Sequence, residues 1–449
     1  MTVDIVIKNG LTVLPSGITQ SNIVIDKGKI IGIVKSNEPK ADRVIDATGK
    51  VVLPGMVDMH VHLRDPGFPE RENFESGTRA AAAGGVTTVI DMPNTVPATV
   101  TLKAFNEKKA IVDKKSLVDY GFIGGAGEVP AKDIREVAQA GATAFKSFLI
   151  ARFKELAASD YTLLKHMELL GELDRPLLVH AENGDLVDKF MEEAVAAGRT
   201  DPMAHCEFRP PICEIEATQR CVTLAAETDV HLHICHMTAA GAVDIVEWAQ
   251  AMGQNVTGET STNYLLFTQD TMKKRGPYAK VDPPLRSKDD QLRLWEALND
   301  GTIGVLASDH APYTKEEKER GFDNIYDAPS GGVVIETTLP LMLDAVNKDK
   351  ISLERLVEVF STNPAMMNGL YPKKGDLMLG ADADVVICDM DKAFHIKGEN
   401  LQTIQKITPY EDMKGKGMPI MTLVRGEVVF EDGQVIGKPG YGSFQMPLE

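Results

Sequence analysis

Two neighbouring runs, Val51-Val-Leu-Pro-Gly-Met-Val-Asp-Met-His-Val-His-Leu-Arg-Asp-Pro-Gly67 and Thr87-Thr-Val-Ile-Asp-Met-Pro-Asn94, set the architecture of the chain. The first begins as an apolar run too short to cross a membrane and ends in His60-x-His62, the pattern of a buried strand that delivers two imidazoles at its end. Side chains two apart on a strand share a face, and neutral imidazole is the commonest protein metal ligand. A lone His-x-His pair is more often structural than metal-binding, so partners must come from elsewhere in the chain.

Working outward, residues 4–52 read as short strands separated by turns at Asn9-Gly10 and Lys27-Gly28. Similar patterning returns only near the other end, in Asp384-Val-Val-Ile-Cys-Asp and from Met421 to Val435. The two ends are expected to pair into one small β-sandwich, residues 1–52 supplying one portion and residues 376–449 the other together with a C-terminal tail. Between them, residues 53–375 alternate apolar runs with helical patterns. Eight candidate strands are Gly55 to His62, Thr88 to Asp91, Asp119 to Ile123, Ala142 to Leu149, Pro176 to His180, His231 to His236, Asn255 to Glu259 and Ile303 to Asp309. Helix-like segments lie between them, among them Phe74 to Ala83, Ala131 to Ala140, Cys213 to Glu227 and Ala240 to Ala251. This alternation predicts an α/β fold, a (β/α)8 TIM-type barrel. The rival, a doubly wound open sheet, lacks its G-x-G-x-x-G after an early strand.

A barrel carries its active site at the C-terminal ends of its strands. There the sequence puts His60, His62, His180, His236 and Asp309, while Lys146 lies inside the apolar fourth strand. A lysine in a buried strand is costly unless neutralised or paired. Lowered in pKa by burial and metal charge, its amine can add carbon dioxide to form a carbamate, an anionic ligand able to bridge two cations. The plainer reading is an ammonium that snorkels to the rim or pairs with a carboxylate such as Asp309; the five other groups on the same rim favour the carbamate.

Composition bounds the partners. The 449 residues are 43% hydrophobic and 25% charged, as in a globular protein with a substantial core. A net charge of -17 argues against nucleic acid and for a small-molecule ligand. No signal peptide or membrane-length apolar run is apparent, so a cytoplasmic protein without a membrane partner is expected. The five cysteines, Cys206, Cys213, Cys221, Cys235 and Cys388, form no C-x-x-C and read as reduced thiols, with Cys235 a small buried residue.

The ordered set Pro54-G-M-V-D-M-H-V-His62, Ala81-A-A-G-G-V-T-Thr88, Phe145-K-S-Phe148, Leu178-V-H-A-E-Asn183, His233-I-C-His236, Pro283-P-L-Arg286 and Ser308-D-H-A-Pro312 resembles the amidohydrolase superfamily. Within it the resemblance is to the cyclic amidase branch of dihydroorotases, allantoinases, hydantoinases and dihydropyrimidinases, and it covers nearly the whole chain. Carried over, it implies two divalent metals, with His60, His62 and Asp309 holding the more buried one, His180 and His236 the other, and carbamylated Lys146 bridging both. Zinc suits such N and O ligands, with manganese or cobalt as substitutes. Asp309 would be the catalytic proton carrier in hydrolytic opening of a cyclic amide, and water activated by the metals the nucleophile. Relatives are often dimers or tetramers, so a homo-oligomer is expected. A non-catalytic scaffold, known among relatives that lose the ligands, is disfavoured because all six positions are filled.

For the ring itself, His-Leu-Arg64-Asp-Pro-Gly and Asp-Met-Pro-Asn94-Thr match the dihydroorotase pattern, where the Arg and Asn hold a substrate carboxylate. Dihydroorotase, interconverting dihydroorotate and N-carbamoyl-aspartate, is therefore the first expectation. The other reading of Arg64 pairs it with Asp65 or Glu72. Three positions depart from that pattern: Tyr313 stands for a carboxylate-contacting His, Asp282 for a ring-contacting Asn, and Glu259-Thr-Ser-Thr-Asn-Tyr-Leu for P-H-H. Asp282 and Tyr313 are nevertheless expected to contact substrate, and allantoin, a hydantoin or a dihydropyrimidine remains the alternative ring. Asp58 and Glu182 are expected to support ligands, and His310 to orient Asp309 or to be structural. His231 and His233 are expected to make helix contacts or lie at exposed ends, while His166, His205 and His395 carry no motif.

Overall fold

Parallel strands covered by helices on one side must be apolar on both faces, and the central part of the chain has that texture. The computed structural model describes residues 2–448. Five N-terminal strands, β1 (Thr2–Leu14), β2 (Gly17–Asp26), β3 (Lys29–Val34), β4 (Lys40–Asp46) and β5 (Val51–Pro54), precede the barrel. The barrel strands are β6 (Met56–Val61), β7 (Val86–Asp91), β8 (Asp119–Gly125), β9 (Ala144–Phe148), β10 (Leu177–His180), β11 (Leu232–Ile234), β12 (Val256–Thr260) and β13 (Val305–Leu306). Each pairs in parallel with the next. The first and last meet where Val61 bridges His310 and the His62 N–H donates to the His310 carbonyl at 2.8 Å. Asp58 strengthens this closure by accepting the backbone N–H of Ser308 at 3.1 Å.

The helix Phe74–Ala83 shows how local chemistry prepares this packing. Asn73 caps it by accepting from the N–H groups of Glu75 and Ser76, and Ser76 returns a bond to the cap, so the free N-terminal donors are satisfied. Its buried alanines let it lie close to the barrel, and Gly85, at φ +78°, makes the left-handed turn into β7.

The remaining strands, β14 (Val385–His395), β15 (Lys414–Val424), β16 (Glu427–Glu431) and β17 (Gln434–Val435), join β1–β5 in a nine-stranded sheet. The two ends of the chain meet at β5, which runs parallel to β1 (Leu11 opposite Val51) and antiparallel to β14 (Leu53 opposite Val386). Their shared core contains Ile5, Ile7, Ile23, Ile25, Val385, Ile387 and Leu423. The fold is thus a TIM-type barrel with a β-sandwich unit built from both termini. Where the units meet, the buried Lys374 ammonium is enclosed by the carboxylates of Asp119 at the start of β8, Asp382 (2.9 Å) and Asp384 (2.7 Å). Among the described residues no helix is long and apolar enough to cross a membrane.

Candidate metal centre

The polar rim is built strand by strand. His60 projects from β6 and His62 stands one residue past it; their Nε2 atoms lie 3.4 and 3.6 Å from Asp309 Oδ1, just beyond β13. His180 ends β10 and points Nδ1 at His236 Nε2, 3.0 Å away and two residues past β11. Asp309 (φ +51°), His236 (φ +37°) and Arg64 (φ +59°) all occupy the left-handed backbone region, which L-residues with side chains visit rarely. Holding three cavity side chains in that conformation costs about 1–3 kcal/mol each, offset by the surrounding packing. Lys146, in the middle of β9, is fully buried, and its Nζ has Cys235 Sγ at 2.7 Å as its polar neighbour. It makes no ion pair with Asp309 or with any other carboxylate among the described residues.

Two of the rings, His180 and His60, have a carboxylate support. His180 Nε2 donates to Glu182 at 2.7 Å, and Glu182 is bound in turn by the buried Arg209 guanidinium. Burial alone would raise the Glu182 pKa, but Arg209 outweighs it and keeps the carboxylate ionised. His60 Nδ1 contacts Glu259, and Asp58 accepts the His60 backbone N–H at 3.4 Å. His310 does not reach the Asp309 carboxylate: its Nδ1 accepts the N–H of Val334 (3.1 Å) at the start of the helix Ile335–Asn347. It is a structural cap.

Burial holds the pKa of His62 and His236 well below the usual imidazole value, with Arg64 adding to the effect on His62 and His180 to that on His236. His180 is lowered as well, again chiefly by burial. Three rings are therefore neutral with lone pairs available, the form that binds metals. His60 is the exception. Burial would lower it, but the Glu259 and Asp309 carboxylates raise it to about 10, which marks a place where positive charge is favoured. Ligand atoms of His60, His62 and Asp309 all lie within 4.8 Å of one another. The donor set of two imidazoles and a carboxylate, in which a cation would take the place of the His60 proton, fits a divalent metal such as zinc. A second acidic group, Asp119, Asp382 and Asp384, is already filled by Lys374 and is an ion-pair cluster instead.

All ten residues singled out in the sequence line one cavity of about 360 Å³: His60, His62, Arg64, Asn94, Lys146, His180, His236, Asp282, Asp309 and Tyr313. That volume suits a small molecule. Arg64 pairs with neither Asp65, which is held by Lys115 at 2.6 Å, nor Glu72. Its Nε donates to the Pro312 carbonyl at 3.3 Å and its guanidinium lies 4.6 Å from the Tyr313 ring centre. Asn94 Oδ1 is shielded from solvent without a protein donor among the described residues. Asp282 is not a free acceptor as expected. Arg209 (2.7 Å), Arg152 (2.8 Å) and His205 (3.3 Å) surround it, and although burial opposes ionisation, Arg209 leads the groups that hold it well below the usual carboxylate range. The two guanidiniums also offset the repulsion it would exert on an anionic substrate.

The sequence reading missed several residues. Arg152, His205, Arg209 and Lys280 also line the cavity. Lys280 Nζ donates to the carbonyls of Ile325 (2.8 Å) and Ala328 (2.6 Å), and Lys318 to those of Pro329 (2.9 Å) and Gly331 (2.8 Å), so two lysines hold the loop that forms one cavity wall. His233 is not at an exposed end or against a helix; it is buried inside the barrel and bonded to Glu259 at 3.2 Å. The available signal was a carboxylate ending the seventh predicted strand, level with two histidine-bearing ones. His166 is buried between the carbonyls of Ala126 and Val129, and exposed His395 pairs with Asp412; both lie outside the cavity lining.

Residues 51–429 match the Amidohydrolase family. The chain is 39% identical over 446 residues to an L-hydantoinase of Paenarthrobacter aurescens, covering 98% of this chain and 97% of that protein. It is 36% identical over 445 residues to an allantoinase of Desulfitobacterium hafniense, with 97% of each covered. A solved L-hydantoinase (dihydropyrimidinase) from Arthrobacter aurescens superposes with a TM-score of 0.97 at 38% identity, over 99% of this chain and 100% of that one. With a barrel, a rim of histidines and carboxylate, and relatives of this similarity along its whole length, the chain belongs to the amidohydrolase family, in its cyclic amidase branch, and is a metal-dependent hydrolase of cyclic amides.

Proposed function

We propose that this enzyme opens the ring of a hydantoin or closely related cyclic ureide, using two divalent metals held by His60, His62, Lys146, His180, His236 and Asp309. The observation that carries the proposal is the convergence of these six side chains on the lining of one cavity, with Lys146 buried there and unpaired by any carboxylate among the described residues. Lys146 reacts as its free amine with carbon dioxide: Nζ forms the new C–N bond, one proton is released, and the product is an anionic carbamate. His60, His62 and Asp309 would hold one metal and His180 and His236 the other, with the Lys146 carbamate as an anionic ligand between them. Zinc is the metal we assign. Bound there, the metals supply a Lewis acid for the scissile carbonyl and lower the pKa of water toward about 7.

The protein's own groups then orient the ring and move protons. Asp309, at the cavity side of both His60 and His62, accepts a proton on Oδ from the attacking water and returns it to the ring nitrogen as the C–N bond breaks. Asn94 Oδ1, which lacks a donor among the described residues, accepts a ring N–H. The hydantoinase and allantoinase similarities along the full chain support a ureide ring. Dihydroorotate is the second reading, favoured by Arg64: its guanidinium lines the cavity with no carboxylate partner among the described residues, and a substrate carboxylate would supply one. Side-by-side turnover of hydantoin, allantoin, dihydrouracil and dihydroorotate by the metal-loaded enzyme tests the proposal. Fastest turnover of hydantoin is expected; fastest turnover of dihydroorotate, lost on Arg64→Ala, would establish the second reading instead.

A further inference from the structure

Glu259 closes β12 at 1% exposure, and both of its oxygens are engaged. Oε1 contacts His60 Nδ1 and also accepts the backbone N–H of His236 at 3.2 Å. Oε2 faces His233 Nε2 at 3.2 Å. His233 Nδ1 lies 2.8 Å from the Thr257 hydroxyl, which lies 2.8 Å from His231 Nε2. With Glu259 ionised and His233 carrying a single ring proton, one assignment of protons fits these contacts. An ionised carboxylate only accepts, so His233 must carry its proton on Nε2, leaving Nδ1 bare to accept from the Thr257 hydroxyl. Thr257 Oγ1 then accepts the Nε2–H of His231. By the same logic His60 must carry a proton on Nδ1, directed at Glu259. Its Nε2 is the atom that faces Asp309 and the cavity.

We propose that Glu259 is a positioning residue of this enzyme: it locks the His60 ring in the Nδ1–H orientation, ties the His236 backbone to the same carboxylate, and is itself held by His233 and Thr257 from inside the barrel. The proposal rests on the reading of His60 as a metal ligand. Ligand atoms of Glu259, His60 and Cys235 also lie within 4.8 Å of one another, but Glu259 Oε1 already serves His60 and His236 and Oε2 serves His233, so the proposal gives Glu259 a positioning role. Carboxylates that orient a ligating imidazole typically contribute about 10–100-fold in metal affinity.

The test is competition for zinc between a chelator and the purified full-length protein, with thermal unfolding of each metal-free variant measured in parallel. Glu259→Gln replaces an acceptor pair by one acceptor and one donor, so either His60 or His233 must reverse its proton. Zinc affinity is expected to fall about 10–100-fold, with metal-free unfolding unchanged and kcat reduced more than KM. Wild-type zinc affinity in Glu259→Gln, alongside a large loss in His60→Ala, would overturn the positioning role and leave the metal reading intact. Wild-type affinity in His60→Ala would overturn the metal reading itself. Should Glu259→Gln fail to fold, His233→Leu removes the donor to Oε2. Reduced zinc affinity there, restored by His233→Gln, supports the proposal; unchanged affinity in His233→Leu overturns it.

Discussion

Of the lysines buried in this protein, two are held in opposite ways. Lys374, between barrel and sandwich, is enclosed by Asp119, Asp382 and Asp384. Lys146, in the fourth barrel strand, has a thiol at 2.7 Å and no carboxylate. Burying an ammonium costs several kcal/mol, and at Lys374 three carboxylates and their hydrogen bonds offset it. Among the described residues no carboxylate does so at Lys146, whose Nζ faces the Cys235 thiol and the Phe148 ring. A perturbed ionisable group in a cavity marks a candidate functional position, so the contrast sets a lysine that fastens two units against the one we propose carries the carbamate.

The largest test of that contrast is Lys146→Ala. It is expected to cut turnover about 10⁴-fold, near 5.5 kcal/mol of barrier, with loss of bound metal and partial recovery in a short carboxylic acid. Full metal occupancy by elemental analysis would erase the distinction drawn between the lysines. Next comes Asp309→Asn, expected to lower kcat by about 10²–10⁴-fold with some metal retained. Near-normal turnover would remove it as the proton carrier.

Lys374→Met probes the other side. It removes the cation shared by three buried carboxylates, of which Asp382 keeps Lys29 and Asp119 keeps Arg425, and should lower unfolding free energy in urea by about 3 kcal/mol, while metal content of the folded fraction stays unchanged. A loss of metal there would mean that the cluster and the rim are coupled. The smallest effect is expected at Lys318, an intermediate case bound by carbonyls alone. Burial lowers its pKa to about 7, with nearby Lys280 adding to the shift. The native state then releases this proton near pH 7 while the unfolded chain keeps it to about 10.5, so the site's contribution to stability rises with pH across that window. Lys318→Met should flatten the stability–pH slope between pH 7 and 10, measured by urea unfolding.

Much of this was legible in the chain because it is written in local periodicity. The helix Phe74–Ala83 and the strands ending at Asp91 and His180 appear where the pattern puts them, since apolar runs and caps are properties of neighbouring residues. The convergence of His60, Lys146, His180, His236 and Asp309 on one cavity was legible too, because a barrel sends every strand's end to the same rim. Element ends were less so: β13 is only Val305–Leu306, and the left-handed turn at Asp309 that follows it leaves no signature in a non-glycine residue.

The sequence by itself determined the alternation of strands and helices, the residues at the strand ends and the family to which they belong. Tertiary structure alone decided the partners. Asp282 met Arg209 and Arg152, Arg64 met neither neighbouring carboxylate, and Glu259 met His60 across 199 positions of chain. The physical reason is that burial makes each charge choose a partner in space, and which groups stand opposite one another depends on strand order and register rather than on spacing along the chain.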